Sequence, residues 1–322
     1  MSGSIFSNND GSFLLGRRRF LAVTAGLGVT PLAGRGVWAF SSEVHKTMIG
    51  DIELSVISDG HLELPAAVFA PPTDATDFDA LLTEAFGSAS ETIMPETNHA
   101  ILKTGSDLVL VDNGSGNKFQ PTAGKLKDNL ALNGIDPAAI TKVVFTHGHP
   151  DHVWGTLLDD GSLFLPNATY YVGGTEYDFW TSPDTLAALP DDLKPFALGA
   201  ARDFAAVQDR MVRVAGGDEV AVGVSVLDTP GHTPGHIALL VEGGDGMIIS
   251  GDAIPNQVIN VAHPDWAFAY DTAPDVAITT RKALLDRAAT DRQPLLGYHF
   301  AWPGIGFVER KDSAFRFVSD LG

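Results

Sequence analysis

The run Lys142-Val143-Val144-Phe145-Thr146-His147-Gly148-His149-Pro150-Asp151-His152-Val153-Trp154-Gly155 decides how the rest of this chain is read. Its first four residues read as a short strand in which Val143, Val144 and Phe145 are continuously apolar, the mark of a strand covered on both faces. Three histidines and an aspartate follow at the strand's C-terminal end, the edge where ligands sit in α/β proteins. His147 and His149, two apart in extended backbone, point their imidazoles the same way. Gly148 leaves room between them, and Pro150 turns the chain so that Asp151 and His152 face a second point. Crowded into one loop, these groups repel on protonation and waste buried polar atoms unless a cation holds them. Nitrogen and oxygen donors of this kind suit two divalent ions, Zn²⁺ first, with Mn, Co and Fe accepting the same set.

Three later stretches repeat the pattern in weaker form. Thr229-Pro230-Gly231-His232-Thr233-Pro234-Gly235-His236 follows an apolar run at 224–227. Ser250-Gly251-Asp252 follows another at 247–249, and Gly297-Tyr298-His299 closes a third at 295–298. Further strands are expected over 52–57, 100–103, 108–111, 142–145, 169–172 and 237–241. Helical patterns fit 122–133, 175–181, 191–207 and 274–289, and 71–95 reads as a helix between loops. With no linker and no fixed-period repeat, the pattern implies sheets covered by helices in one α/β domain spanning 40–322.

Composition narrows the function classes. The 322 residues carry 21 Lys+Arg against 40 Asp+Glu, a formal charge of −19, which disfavours nucleic acid and anionic lipid as partners. No apolar run reaches the roughly 18–20 residues of a membrane span, so membrane insertion is not expected. Cysteine is absent, so disulfides, thiolate ligands and Cys nucleophiles are excluded together. No Gly-x-Ser-x-Gly elbow suggests a serine nucleophile.

Residues 1–39 read as an address. Arg17-Arg18-Arg19-Phe20-Leu21 precedes a weakly apolar stretch and resembles a twin-arginine export signal, with Val37-Trp38-Ala39 as the cleavage site. Removal at that point leaves 17 basic and 39 acidic residues and a periplasmic or secreted protein.

The series His147-x-His149-x-Asp151-His152, His232, Asp252 and His299 resembles the ligand series of the metallo-β-lactamase superfamily. The resemblance implies an αββα four-layer sandwich with the metals at the edge between two sheets. It implies one metal on His147, His149 and His232 and a second on Asp151, His152 and His299. Asp252 then bridges both, and Asp151 also serves the catalytic step by handling a proton. One departure stands out: Trp154 occupies a position where the family commonly has Gly, which bears on pocket shape and not on ligand identity.

Within the superfamily the chain resembles methyl parathion hydrolase and lactonase-like hydrolases, through Asp107–Gly114, Phe164–Ala168, Asp178-Phe179-Trp180, Pro303–Gly306 and Phe315–Val318. That likeness implies a mouth lined by Phe119, Trp180 and Phe196, with Trp154 beside them. It also implies cleavage of neutral lipophilic esters, lactones such as acyl lactones, or aryl phosphotriesters, by a hydroxide held between the metals. A β-lactamase-type amide hydrolase and a non-catalytic exported metal-binding protein are the alternatives, and a homodimer is expected from family habit.

Overall fold

A period-two switch in one strand organises the layers. In β7 (Lys142–Phe145), Val144 joins the core between two sheets, while Val143 and Phe145 join the core beneath helices. The computed structural model describes residues 44–70 and 75–320. The arginine motif and the expected cleavage site lie outside the described residues.

Nine strands precede the second sheet. They are β1 (His45–Ile49), β2 (Ile52–His61), β3 (Leu64–Pro65), β4 (Thr92–Ile93), β5 (Glu96–Thr104), β6 (Asp107–Val111), β7, β8 (Thr169–Gly173) and β9 (Met211–Val214). Seven of them form the first sheet in the order β1-β2-β5-β6-β7-β8-β9, and β3 and β4 pair separately. The hairpin-linked half is antiparallel. From β6 onward the pairing is parallel, with Val109 opposite Lys142 and Lys142 opposite Thr169. The second sheet runs in chain order through β10 (Glu219–Ala221), β11 (Val224–Asp228), β12 (Ile237–Val241), β13 (Met247–Ile249), β14 (Leu295–Leu296), β15 (Ile305–Lys311) and β16 (Ala314–Ser319).

The helices are α1 (Ala75–Phe86), α2 (Leu126–Leu132), α3 (Pro150–Val153), α4 (Gly174–Thr181), α5 (Pro183–Ala188), α6 (Lys194–Val207), α7 (Ile259–Ala262) and α8 (Pro274–Asp291). Val56, Leu102 and Val109 of the first sheet pack against Val226, Leu239 and Ile249 of the second. Leu130 of α2 and Ala200 and Phe204 of α6 cover the first sheet's other face. Leu284, Leu285 and Ala288 of α8 cover the second sheet's. The architecture is therefore α/β/β/α. No helix among the described residues is long and apolar enough to cross a membrane.

The elements depart from the sequence expectation mainly at their ends. The helix expected over 122–133 starts only at Leu126, because the buried Asp59 carboxylate accepts from Gly124 N and Leu126 N and holds the preceding turn open. The strand expected over 295–298 stops at Leu296, and Tyr298 and His299 turn into the site. The edge strands β1, β9, β10 and β16, and β15 beside the last of them, are not marked in the sequence. Their exposed faces carry Lys, Arg and Glu, which mask the alternation.

Candidate metal centre

Every ligand side chain sits just past the C-terminal end of a strand or in the turn that follows. Residues 146–152 leave β7 and enter α3, His232 lies between β11 and β12, Asp252 follows β13, and His299 follows β14. All seven predicted ligands are buried, none more than 8% exposed. Their donor atoms form three overlapping groups within 4.8 Å: His147, His149 and His232; His147, His152 and Asp252; and Asp151, His152 and His299. Asp252 lies between the outer two. Its Oδ2 is 3.4 Å from His232 Nε2 and 3.3 Å from His299 Nε2, and its Oδ1 is 3.5 Å from His152 Nε2. Asp151 Oδ2 is 3.3 Å from His152 Nε2 and 3.4 Å from His299 Nε2.

Four of the five imidazoles are aimed by a partner on the outer nitrogen. Asp112 accepts from His152 Nδ1 at 2.8 Å, from Thr146 N at 2.7 Å and from Thr146 Oγ1 at 2.8 Å. That leaves the Thr146 oxygen to accept from His147 Nδ1 at 3.1 Å. Asp271 Oδ1 accepts from His232 Nδ1 at 3.0 Å, and the Glu96 carbonyl accepts from His299 Nδ1 at 2.8 Å. The Nε2 atoms of four histidines therefore face inward. His149 presents Nδ1 instead, 2.9 Å from both His147 Nε2 and His232 Nε2. Such partners fix tautomer and ring orientation at metal sites.

Burial drives the His147 and His149 pKa values well below the ordinary histidine value, and neighbouring imidazoles add to the push. Burial acts the same way on His152, but the carboxylates of Asp151, Asp252 and Asp112 overcome it and hold its pKa well above the ordinary value. Asp252 is buried too, yet His299 and His152 keep its carboxyl well below the usual range. Among the described residues, the buried atoms Asp151 Oδ2, His152 Nε2 and Asp252 Oδ1 have no hydrogen-bond partner. Converging imidazole nitrogens and stranded carboxylate oxygens fit divalent cations of the zinc type.

Several residues that complete the site had no distinct sequence signal. His236 is not among the clustered ligands. Its Nε2 accepts from Asp252 N at 3.0 Å and its Nδ1 donates to Thr229 Oγ1 at 2.8 Å, so it fixes the turn that carries Asp252. Arg281 occupies the apolar stripe of α8 and is fully buried. It pairs with Asp271 Oδ2 at 3.0 Å and donates to the carbonyls of Ala253 and Trp266. A charged residue at a helix's core position was the only available cue.

The expected mouth residues divide. Phe119, Trp154 and Phe196 are half-buried and meet edge-on, with centroids 5.9–6.2 Å apart, and Phe196 lies 5.7 Å from the His149 ring. Trp154 is accommodated by Gly199, where any Cβ would strike the indole. Trp180 is a correction to the expected lining. It is 3% exposed, its Nε1 donates to Glu176 Oε1 at 2.6 Å, and its ring backs Gly148 beneath His149. Its indole faces a buried carboxylate and not solvent. A further aromatic group beside His232 was not read from sequence: Phe268 stacks on that histidine at 5.9 Å and Phe69 stacks on Phe268 at 4.7 Å. Phe69 ends a single 3-10 turn and Phe268 lies in a loop, too short or irregular for a readable periodicity.

Two solved structures resemble this chain over most of its length. The chain is 27% identical to AidC, a dizinc quorum-quenching lactonase solved with the product N-hexanoyl-L-homoserine. The two superpose with a TM-score of 0.81 over 86% of this chain and 97% of that one. It is 26% identical to the hydrolase AbOPH, with a TM-score of 0.79 over 86% and 97% of the two chains. The N-acyl homoserine lactonase AttM of Agrobacterium fabrum is 33% identical over 124 residues, 35% of this chain and 40% of AttM. The β-lactamase-like protein 2 homolog of Drosophila melanogaster is 29% identical over 160 residues, so the match spans about half of that relative's length, 47%. The sequence model of the metallo-β-lactamase superfamily matches residues 96–296, from the start of β5 to the end of β14. With that match covering most of the chain and every ligand position of the series filled, this protein belongs to the metallo-β-lactamase superfamily.

Proposed function

We propose that the chain is a dinuclear metallohydrolase of neutral lipophilic lactones and esters, with lactones as its resident substrates. The observation that carries this reading is the junction of the metal centre with the half-buried Phe119, Trp154 and Phe196 beside His149. Similarity over nearly all of AidC, whose bound product is an acyl-homoserine, supports the same substrate class. His147, His149 and His232 would hold one ion, Asp151, His152 and His299 the other, and Asp252 both. Two such ions acidify a water molecule and polarise a scissile carbonyl. The protein's own part is to keep the His147 and His149 imidazoles neutral, and to hold Asp151 and Asp252 ionised for ligation and proton handling. The aromatic residues supply apolar contact for an acyl chain or aryl group, at about 1–3 kcal/mol per well-buried side chain.

Aryl phosphotriesters fall within the same neutral, lipophilic class and are proposed as secondary substrates. The strong net acidity of the chain opposes phosphate monoesters and nucleotides. The test is a screen of zinc-loaded protein over acyl lactones, aryl esters, phosphotriesters, β-lactams and phosphate monoesters, before and after chelation. Lactones and aryl esters are expected to exceed phosphate monoesters in kcat/KM by at least about tenfold, or ~1.4 kcal/mol. A preference for monoesters or β-lactams, or activity indifferent to chelation, overturns the reading. Phe196→Ala should raise KM for the lipophilic substrates several-fold while kcat changes less, because it removes contact shared by ground and transition states. We also propose export by the twin-arginine route, and Arg17→Lys with Arg18→Lys should retain the precursor in the cytoplasm.

A further inference from the structure

The two loops that supply the three-histidine group share a single buried side chain. Glu176, on α4, is fully buried. Its Oε1 accepts from Gly148 N at 2.8 Å and from Trp180 Nε1 at 2.6 Å. Its Oε2 accepts from Thr233 Oγ1 at 2.7 Å and from Gly235 N at 3.0 Å. Gly148 lies between His147 and His149, and Thr233 is the neighbour of His232. Four donors thus surround one carboxylate, and none of them is a cationic side chain. The fit is close on both sides: a Cβ at Gly148 would strike the Trp180 ring, and one at Gly235 would strike the Glu176 backbone.

Proposed metal ligation does not use this carboxylate. A fully buried acid held by neutral donors is costly unless each donor is itself worth fixing. We infer that Glu176 is a positioning residue whose carboxylate ties the 146–152 loop to the 229–236 loop and so sets the spacing of His147 and His149 against His232. The inference rests on the metal-binding reading above. It assigns to Glu176 the affinity of one metal position and leaves the other alone. His152 and His299 are aimed from elsewhere, by Asp112 and by the Glu96 carbonyl.

An amide cannot replace the acid here. Gln at 176 keeps one acceptor oxygen and turns an NH₂ toward two donors, so one loop loses its hold. Zinc affinity of the purified full-length protein is measured by competition with a chromophoric chelator in two backgrounds. His299→Ala leaves the three-histidine group intact, and His149→Ala leaves the Asp151, His152 and His299 group. Glu176→Gln should weaken zinc about tenfold or more in the first background and less than threefold in the second. Thr233→Val and Trp180→Phe each remove one donor, and each should weaken the first background by a smaller factor. They carry the test if Glu176→Gln does not fold. Equal losses in both backgrounds, or no loss in the first across the variants, overturn the assignment. Failure of the parent protein to bind zinc at all overturns the metal reading instead.

Discussion

The two groups of ligands are held in different ways. The three-histidine group is braced by side chains from distant parts of the chain: Glu176 across its two loops, and Asp271 behind His232, itself fixed by the buried Arg281. The Asp151, His152 and His299 group leans on Asp112 at His152 and on a main-chain carbonyl at His299. Their electrostatics differ as well. Burial keeps His147 and His149 uncharged, whereas carboxylates favour charge on His152 and His299. The first group is thus preformed for a cation by shape, and the second by charge. Substitutions behind the first should loosen metal by misplacing it, and those behind the second should mostly alter charge balance.

Asp252 lies between the two groups, so its loss should have the largest effect. Asp252→Ala removes two carboxylate oxygens that lie 3.3–3.5 Å from His232, His152 and His299 and should lower kcat at least about a hundredfold, with the fold retained by circular dichroism. Turnover within tenfold of the parent would show that the two groups do not act together. Next in size is Asp271→Asn, which puts an amide where His232 Nδ1 and Arg281 both expect an anion. Metal affinity at the three-histidine position should fall about 10–100-fold by chelator competition, with the other position little changed. An equal fall at both would break the distinction drawn between them.

The part of this site that was legible in sequence is the part built from local chemistry. His147, His149, Asp151 and His152 share one loop, and apolar strands announce the ends where His232, Asp252 and His299 stand. Strands β7, β12 and β13 were readable for the same reason, being apolar on both faces. Glu176, Asp271 and Arg281 were not. Their roles come from packing between segments, such as Thr233 and Gly235 reaching Glu176 from 57 and 59 residues away. Trp180 was misread because an aromatic residue near a metal loop can face the mouth or the floor, and only the fold shows which. Asp112 was visible at the end of β6, but its role depends on a backbone φ of 57° that no side-chain pattern reveals.

Acidification of the metal-free protein separates the groups more gently. His236 is held down to about 3 by burial, first, and by the neighbouring imidazoles of His232 and His152, while its unfolded value is near 6.5. A lowered histidine stabilises the fold above pH 6.5, and that stability is lost as the pH falls toward 3. His147 and His149 shift in the same direction. His152 and His299 shift upward, so their contribution is complete below pH 6.5 and declines as the pH rises through their folded values. Imidazole ¹⁵N spectra of the chelated protein at pH 5.5 should show His147, His149 and His236 neutral and His152 and His299 protonated. Uniform titration near 6.5 would remove the electrostatic half of the comparison.

The smallest effect is expected at Glu96, and it isolates main chain from side chain. His299 donates to the Glu96 carbonyl, so replacing the carboxyl should leave that imidazole aimed as before. Burial pushes the Glu96 carboxyl up to about 7, so ionising it costs stability that is present below about pH 4.5 and lost as the pH rises through 7. Glu96→Gln removes that cost. Discounted for the water that still reaches this half-buried group, the gain at pH 8 should be about 1 kcal/mol, or about 2–4 °C in Tm, and near zero at pH 4. Zinc affinity at the Asp151, His152 and His299 position should stay within about twofold, in contrast to the tenfold or greater loss from Asp271→Asn on the other side. A large loss of zinc in Glu96→Gln would mean that the carboxyl, and not the carbonyl, supports His299, and the two groups would then be braced alike.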